Sequence, residues 1–241
     1  MSGRYQIHTG LQHGVLWSTV INSLPTNETT IAQHLKAVGY TTHAVGKWHL
    51  GHAVLADTPL RRGFDTFRGF WGGSEDHYSK VSGGHFDFRE QEAVAVGEPS
   101  AEQNNASYST HIFTMATVEV IQKAEATTPF FVYLAYQATH APLQAPHEVV
   151  SRFNATIKDV SRRTFAAMAA VVDEGVGNIT AALKANGRYA NSVIFLSGDN
   201  GGQTHAGGNN WPLRGWKGSL WEGGCRASAF LHSPLLPPRY K

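Results

Sequence analysis

The sequence predicts an α/β fold with a largely parallel central sheet and helices on both faces. Three observations carry that prediction. Helix-like and strand-like segments alternate along the chain. Two of the strand-like runs are almost wholly apolar, as strands covered on both faces are. Strands separated by helices are joined by crossovers, which link parallel neighbours.

The elements follow in order. Ile31, Leu35 and Val38 recur at helical spacing, and Gly39 closes that helix as a left-handed cap. Tyr40 to Val45, rich in Thr and Val, forms a short strand. The stretch from Ala53 to Glu102 has no clear periodicity and is long for a loop, so it reads as surface excursions. Tyr108 to Ala126 forms a second helix with Ile112, Met115, Val118 and Ile121 on its apolar side. Pro129 stops it, and Phe130 to Tyr136 is a near-continuous apolar strand. A long helix spans Ser161 to Lys184 through Phe165, Met168, Val171, Val172, Ile179 and Leu183, and Gly187 ends it. Val193 to Leu196 is the last strand.

Composition narrows the function classes. Twenty basic against eighteen acidic side chains in 241 residues leave a net charge of +2, too weak a field for a nucleic-acid partner. No apolar run approaches the ~20 residues of a membrane span, so no transmembrane helix is expected. The opening Met-Ser-Gly-Arg-Tyr-Gln is not a signal peptide. One cysteine, Cys225, excludes an internal disulfide and a thiolate zinc cluster. Glycosylation-type triplets begin at Asn27, Asn105, Asn154 and Asn178, against about 1.6 expected by chance from the composition. That excess points to a chain that matures in the secretory pathway.

In open α/β sheets, ligands bind beyond the carboxyl ends of the strands. Three strand ends here carry polar sequence. The first strand runs into Gly46-Lys47-Trp48-His49-Leu50-Gly51, where an extended chain puts Lys47 and His49 on one face. The strand at 130–136 runs into Gln137-Ala-Thr-His140-Ala-Pro142. For His140 alone, the plainer expectation is a loop histidine bonded to backbone. The last strand runs into Ser197-Gly-Asp199-Asn200-Gly-Gly202. Its carboxylate and amide oxygen suit a hard cation such as Ca²⁺ or Mg²⁺, with an Asx turn as the plainer alternative. Such an ion takes about six oxygens, so further ligands must come from elsewhere. The glycine- and tryptophan-rich segment Gln203 to Gly224 holds Lys217, and its Trp211, Trp216 and Trp221 are expected to pack the loop against the domain rather than stack on sugars. Two lysines, two histidines and an Asp–Asn pair describe a cationic, metal-assisted pocket for an oxyanion. Lysines and metal neutralise charge building on non-bridging oxygens, and a histidine protonates the departing alcohol. Hydrolysis of a sulfate or phosphate ester fits.

These residues carry a resemblance. Gly39-Tyr-Thr-Thr-His-Ala-Val-Gly-Lys47-Trp-His49-Leu-Gly51 resembles the second signature of the sulfatase family. Gly3-Arg-Tyr-Gln6, Arg62-Gly-Phe-Asp65, Thr139-His140-Ala-Pro-Leu143 and the span from Asp199-Asn200-Gly-Gly to Glu222-Gly-Gly224 extend it over nearly the whole chain, closest to the arylsulfatase B (N-acetylgalactosamine-4-sulfatase) branch. The resemblance implies an alkaline-phosphatase-like fold and a calcium-dependent sulfuric ester hydrolase whose substrate is a sulfated small molecule or glycan. It implies Asp199 and Asn200 as ligands of Ca²⁺, with Mg²⁺ the lesser candidate. It implies Lys47 and Lys217 on the sulfate oxygens, His49 supporting the nucleophile and His140 serving the leaving oxygen. A lysosomal or secreted glycoprotein is implied too, in agreement with the four triplets.

The departures set further expectations. The family nucleophile is a formylglycine made from the cysteine of a Cys-x-Pro-Ser-Arg motif. That motif is absent from these residues, as are the paired aspartates of the strand before it. Cys225 stands in Gly-Gly-Cys-Arg-Ala-Ser, without the proline, and is expected to be a buried structural thiol. Residues 1–241 are expected to be part of a catalytic N-terminal domain, with an incomplete sheet and no second domain. Alone, the chain is expected to fold poorly and lack sulfatase activity. A phosphate-ester hydrolase on the same fold and a non-catalytic binder of sulfated glycans are the alternatives.

Overall fold

The computed structural model of the chain describes residues 1–92 and 107–237. The chain divides into two units, Met1–Pro142 and Leu143–Lys241.

The first unit is built on a four-stranded sheet. β1 (Thr41–Lys47) lies between β2 (Thr66–Phe70) and β6 (Phe130–Ala135) and is parallel to both, while β5 (Arg89–Glu92) pairs antiparallel with β2 at the edge. β3 (Val81–Ser82) and β4 (His85–Phe86) form a small separate hairpin. The register sets Gly46 opposite Gly69 on β2 and opposite Ala135 on β6. Both glycines are needed. A Cβ on Gly46 (φ 95°) would lie 2.1 Å from the Ala135 oxygen, and one on Gly69 would lie 2.0 Å from the Gly46 oxygen.

Helices cover both faces of this sheet, as predicted. On one face α1 (Ile31–Ala37) contributes Ala32 to a core with Ala44, Trp48, Phe64 and Phe67. On the other, α2 (Ser109–Lys123) contributes Phe113 and Ala116 to a core with Val45, Phe70 and Phe88. Thr30 caps α1 with a reciprocal capping box to Gln33, and Gly39 (φ 90°) ends it in the left-handed region, as the sequence predicts.

Several expectations are corrected. The aperiodic stretch after Ala53 is not a set of surface excursions: it supplies β2 and four fully buried phenylalanines, Phe64, Phe67, Phe70 and Phe88. Its last part, 93–102, lies outside the described residues. Phe67 and Phe70 go to opposite faces of a strand covered on both sides, so no alternation marks them. The buried side of α2 is Thr110, Phe113, Thr114, Thr117 and Ile121, and Met115 is exposed. Threonine can line that face because Thr114 and Thr117 donate their hydroxyls to the Thr110 and Phe113 carbonyls, leaving their methyls to pack. In α1 the buried side chain is Ala32, with Ile31 and Val38 exposed. β6, read as buried on both faces, is an edge strand among the described residues and half-buried throughout.

The second unit is helical with a short ribbon. α3 (His147–Ser151) packs against the 26-residue α4 (Val160–Ala185), which Asp159 caps and Gly187 (φ 69°) follows. α4 buries Ala167, Met168, Val171, Gly175 and Leu183. It is long and apolar enough to meet a membrane-span criterion. Its Arg162, Arg163, Asp173, Glu174 and Lys184 fit an amphipathic packing helix instead. β7 (Ile194–Ser197) was expected as a buried parallel strand. Among the described residues it pairs only with β8 (Ala229–His232), antiparallel, and Phe195 is 66% exposed. Cys225, at the end of the short α5 (Glu222–Cys225), is exposed rather than buried, because Gly223 and Gly224 fill the inner side of that turn.

Candidate active site

Because β2, β1 and β6 are parallel, their carboxyl ends lie at one edge of the first unit's sheet. Lys47 is the last residue of β1, half-buried. The ladder to β2 continues past it, with Trp48 N–H donating to the Phe70 carbonyl and His49 N–H to that of Trp71. Trp48 turns into the core, 3% exposed, and donates its indole N–H to the Gly51 and Asp57 carbonyls. His49 does not share an extended face with Lys47. Its φ of 53° bends the chain and redirects the imidazole. The ring lies over Gly73, where a Cβ would come within 2.8 Å of it, and Nε2 donates to the Leu16 carbonyl at 2.9 Å. That bond makes Nδ1 the acceptor nitrogen of the neutral ring.

His140 stands on the turn after β6. Its N–H donates to the Gln137 carbonyl, and Nδ1–H donates to the Ala141 oxygen at 2.8 Å. The backbone-bonded reading is therefore correct as far as Nδ1 goes. It also fixes the tautomer, so that Nε2 carries any second proton.

Behind this turn lies a buried polar cluster that the sequence did not reveal. Gln137 is 3% exposed and sits against Glu75, accepting from the Glu75 N–H at 2.9 Å and donating to its carbonyl at 2.6 Å. Those two bonds fix the amide orientation, so its second N–H points to His77 Nε2 at 3.1 Å. The same His77 nitrogen is 3.4 Å from the His140 carbonyl oxygen. Lys80, fully buried, donates to the carbonyls of His77, Tyr78 and Ser107 at 2.7–2.8 Å. Burial raises the Glu75 carboxyl to about 9, against the opposing pull of the Lys80 charge, so Glu75 is neutral at physiological pH. Its Oε1 accepts from the Ser109 hydroxyl at 3.2 Å. Burial lowers His77 to about 4, which keeps it the neutral acceptor that Gln137 requires. Burial likewise lowers Lys80. Gln137, anchored in this cluster, holds the His140 turn through its backbone carbonyl. The signal in the sequence was the density of Glu75, Asp76, His77 and Lys80 beside glycines in a segment read as surface.

The remaining predicted residues belong to the second unit. Asp199, exposed, and Asn200, half-buried, stand on the turn after β7. Asn200 donates its amide N–H to the Gly201 carbonyl at 2.8 Å, which leaves Oδ1 as its acceptor atom. Gly201 is packed against Gly223, whose oxygen a Cβ would approach to 1.9 Å. Lys217 is tied to the same turn through its backbone, N–H to the Gly202 carbonyl at 3.2 Å. Asn210 braces the loop, exchanging bonds with Gly202 and donating to Gly215. The tryptophans do not pack inward as expected. Trp211 is 86% exposed, Trp216 and Trp221 are about half exposed, and the Arg214 guanidinium lies 3.9 Å over the Trp221 ring. The loop is held by glycine contacts and backbone bonds instead.

Asp199 and Asn200 are hard oxygen donors of the kind Ca²⁺ prefers. Two oxygens are too few, and the described residues contain no group of three or more His, Cys, Asp or Glu placed to hold a metal. The described residues by themselves do not make a calcium site.

The fold is an α/β protein whose parallel sheet edge carries a lysine and two histidines. The sulfatase family model matches residues 1–240, and the chain belongs to that family. It is 47% identical over 243 residues to arylsulfatase J of Mus musculus, covering 98% of this chain and 39% of the relative. It is 28% identical over 251 residues to N-acetylgalactosamine-6-sulfatase of Mus musculus, covering 97% of this chain and 45% of the relative. The crystal structure of Ps i-CgsB in complex with k-i-k-neocarrahexaose matches with a TM-score of 0.86 and 34% identity, over 98% of this chain and 54% of that one. The PsFucS1 sulfatase from Pseudoalteromonas sp. shares the fold, with a TM-score of 0.77 and 23% identity over 96% of this chain and 50% of that one. The chain spans about half the length, or less, of these relatives.

Proposed function

We propose that this chain supplies the anion-binding and leaving-group machinery of a hydrolase that cleaves sulfate esters of a sulfated glycan. One observation carries the reading: Lys47, His49 and His140 stand at the carboxyl edge of adjacent parallel strands, with the His140 turn held by its N–H bond to the Gln137 carbonyl. On the first unit Lys47 holds non-bridging sulfate oxygens and neutralises charge as it grows in the transition state, a role for which Lys217 is the second unit's candidate. His49 orients the nucleophile through Nδ1. His140, with Nδ1–H spent on Ala141, delivers the Nε2 proton to the departing alcohol oxygen. Asp199 and Asn200 would provide two of the oxygens for a Ca²⁺ ion, which would supply positive charge to an anion bound there once further ligands complete it.

Residues 1–241 lack the formylglycine motif, and Cys225 does not replace it, so this stretch alone does not turn over sulfate esters. The test is activity of the natural full-length protein on a sulfated oligosaccharide. Lys47→Ala is expected to lower kcat by ~10²–10³-fold. His140→Ala is expected to lose its largest factor on substrates with poor leaving groups and little on an aryl sulfate, whose phenolate leaves unaided. Equal losses on both would remove His140 from the leaving-group role. Turnover by residues 1–241 alone would overturn the assignment of the missing nucleophile.

We also propose maturation in the secretory pathway, toward the lysosome or the exterior. Asn27, Asn154 and Asn178 are all exposed, as acceptors must be; Asn105 lies outside the described residues. A mass loss on endoglycosidase treatment of protein from a secreting host is expected, and its absence would sink the proposal.

A further inference from the structure

His49 and His140 stand at the ends of different strands, yet both are held by one loop, the stretch 71–77 that follows β2. In the first half of that loop, the Trp71 carbonyl accepts from the His49 N–H at 3.1 Å. The His49 ring lies against Gly73, where a Cβ would come within 2.8 Å of Nε2 and 2.9 Å of Cε1. In the second half, the Glu75 backbone exchanges two bonds with the Gln137 side chain, at 2.9 and 2.6 Å. The Gln137 carbonyl in turn accepts from the His140 N–H at 2.8 Å.

The loop itself is pinned along its length. The Asp87 carboxylate accepts from the Trp71 and Gly72 N–H groups at 3.1 and 2.8 Å. The His77 carbonyl accepts from the Ser109 N–H at 2.9 Å and from the Lys80 ammonium at 2.8 Å. On the other side, the ladder between β6 and β1 ends at Ala135, and the Tyr136 hydroxyl meets that of Thr114 on α2. Past that point the Gln137 amide ties the chain to the loop. Gln137 is 3% exposed, so water does not readily take over its bonds.

We propose that Gln137 is a positioning residue: its amide fixes the His140 turn to the loop that also seats His49, so that the two histidines keep one spacing. The proposal rests on the sulfate-ester reading above, in which His49 serves the nucleophile and His140 the leaving oxygen. Attack and departure take opposite sides of the sulfur, and a shift of about 1 Å in such an arrangement costs on the order of 10²-fold in rate. Gln137 acts through His140, so its loss falls on kcat rather than on KM. The test compares variants of the natural full-length protein on a galactose sulfate and on nitrophenyl sulfate. Gln137→Met keeps the volume and removes the amide. It is expected to lower kcat about 10- to 100-fold on the sugar sulfate and less than about threefold on the aryl sulfate, with KM within about twofold. In a His140→Ala background the same substitution is expected to add less than about twofold, because its effect passes through that imidazole. Gly73→Ala presses on the His49 ring instead and is expected to slow both substrates alike. Circular dichroism checks folding. If Gln137→Met fails it, Gln137→Glu, of the same shape and held neutral by burial, takes its place with a loss of the same pattern. Losses that multiply in the double variant overturn the positioning role and leave the sulfate-ester reading standing. No loss in Gly73→Ala overturns the shared seat. Losses that do not multiply, but are equal on the two substrates, keep the positioning role and remove His140 from the leaving oxygen.

Discussion

The two units bury different things. The first packs Phe64, Phe67, Phe70, Phe88 and Phe113 at 0–1% exposure around three parallel strands, and it buries Glu75, His77 and Lys80 as well. The second buries Val149, Ala167, Met168, Val171 and Leu183 along its helices, but leaves Phe195, Phe230, Leu231 and Leu220 half to almost fully exposed. The first unit therefore makes its own environment for Lys47, His49 and His140. The second holds Asp199, Asn200 and Lys217 by glycine contacts and backbone bonds on a loop with little core beneath it. A sheet edge fixes side chains through the register of its strands. A loop fixes them only as well as its own turns are closed.

The largest expected effect tests that contrast directly. Phe67→Ala deletes a fully packed ring between α1 and the sheet and is expected to cost about 3–5 kcal/mol in denaturant unfolding. Phe195→Ala removes a ring already two-thirds in solvent, and about 1 kcal/mol or less is expected. Comparable losses would mean that Phe195 is covered in solution and that the second unit owns a core of its own.

The buried charges sharpen the comparison through pH. Glu75 is held protonated up to about 9, while an unfolded glutamate ionises near 4.5. Unfolding between those values releases a proton, so stability falls as pH rises across that window. His77 works in the opposite sense: lowered to about 4 from 6.5, it takes up a proton on unfolding, so stability is lost as pH falls from 6.5 toward 4. The two slopes cancel between about 4.5 and 6.5. Above 6.5 Glu75 sets a falling slope, which Lys80, lowered by burial, opposes. Above pH 6.5 the first unit is expected to lose stability as pH rises, by at most about 1.4 kcal/mol per pH unit, the slope for one proton. Glu75→Gln, which keeps the neutral shape and can still accept from Ser109, is expected to flatten it. A slope that survives the substitution would assign the proton elsewhere.

This cluster also marks where the sequence stops being legible. The helices announce themselves by periodicity and caps, and the strand ends carrying Lys47, His140 and Asp199 follow once the strands are located. β2 does not, because Phe67 and Phe70 serve opposite faces and Gly69 is dictated by the neighbouring Gly46 carbonyl rather than by any local pattern. The bond between Gln137 and Glu75 joins residues 62 apart, and no spacing rule pairs them. Charged residues in an aperiodic stretch look solvated until the fold buries them. Even His49, whose presence was legible, points where it does because of a positive φ that only the folded chain reveals.

The smallest expected effect compares the two helix starts. Thr30 is fully buried: its hydroxyl accepts from the Gln33 N–H at 3.2 Å and donates to the Arg62 carbonyl at 2.7 Å. Arg62 in turn ties Leu24, Pro25 and Glu28 through its guanidinium. Thr30→Ala removes a cap and strands a buried carbonyl at once, so about 2 kcal/mol is expected, largely recovered in Thr30→Ser. Asp159 caps α4 from an exposed position, with one bond to the Arg162 N–H at 2.7 Å. Water replaces that bond when it is lost, so Asp159→Ala is expected to cost only about 0.5–1 kcal/mol. Hydrogen exchange at the first amides of α1 and α4 measures both. Equal acceleration at the two helix starts would show that the tie from Thr30 to Arg62 adds nothing beyond the cap, and that the first unit's advantage lies in its aromatic core alone.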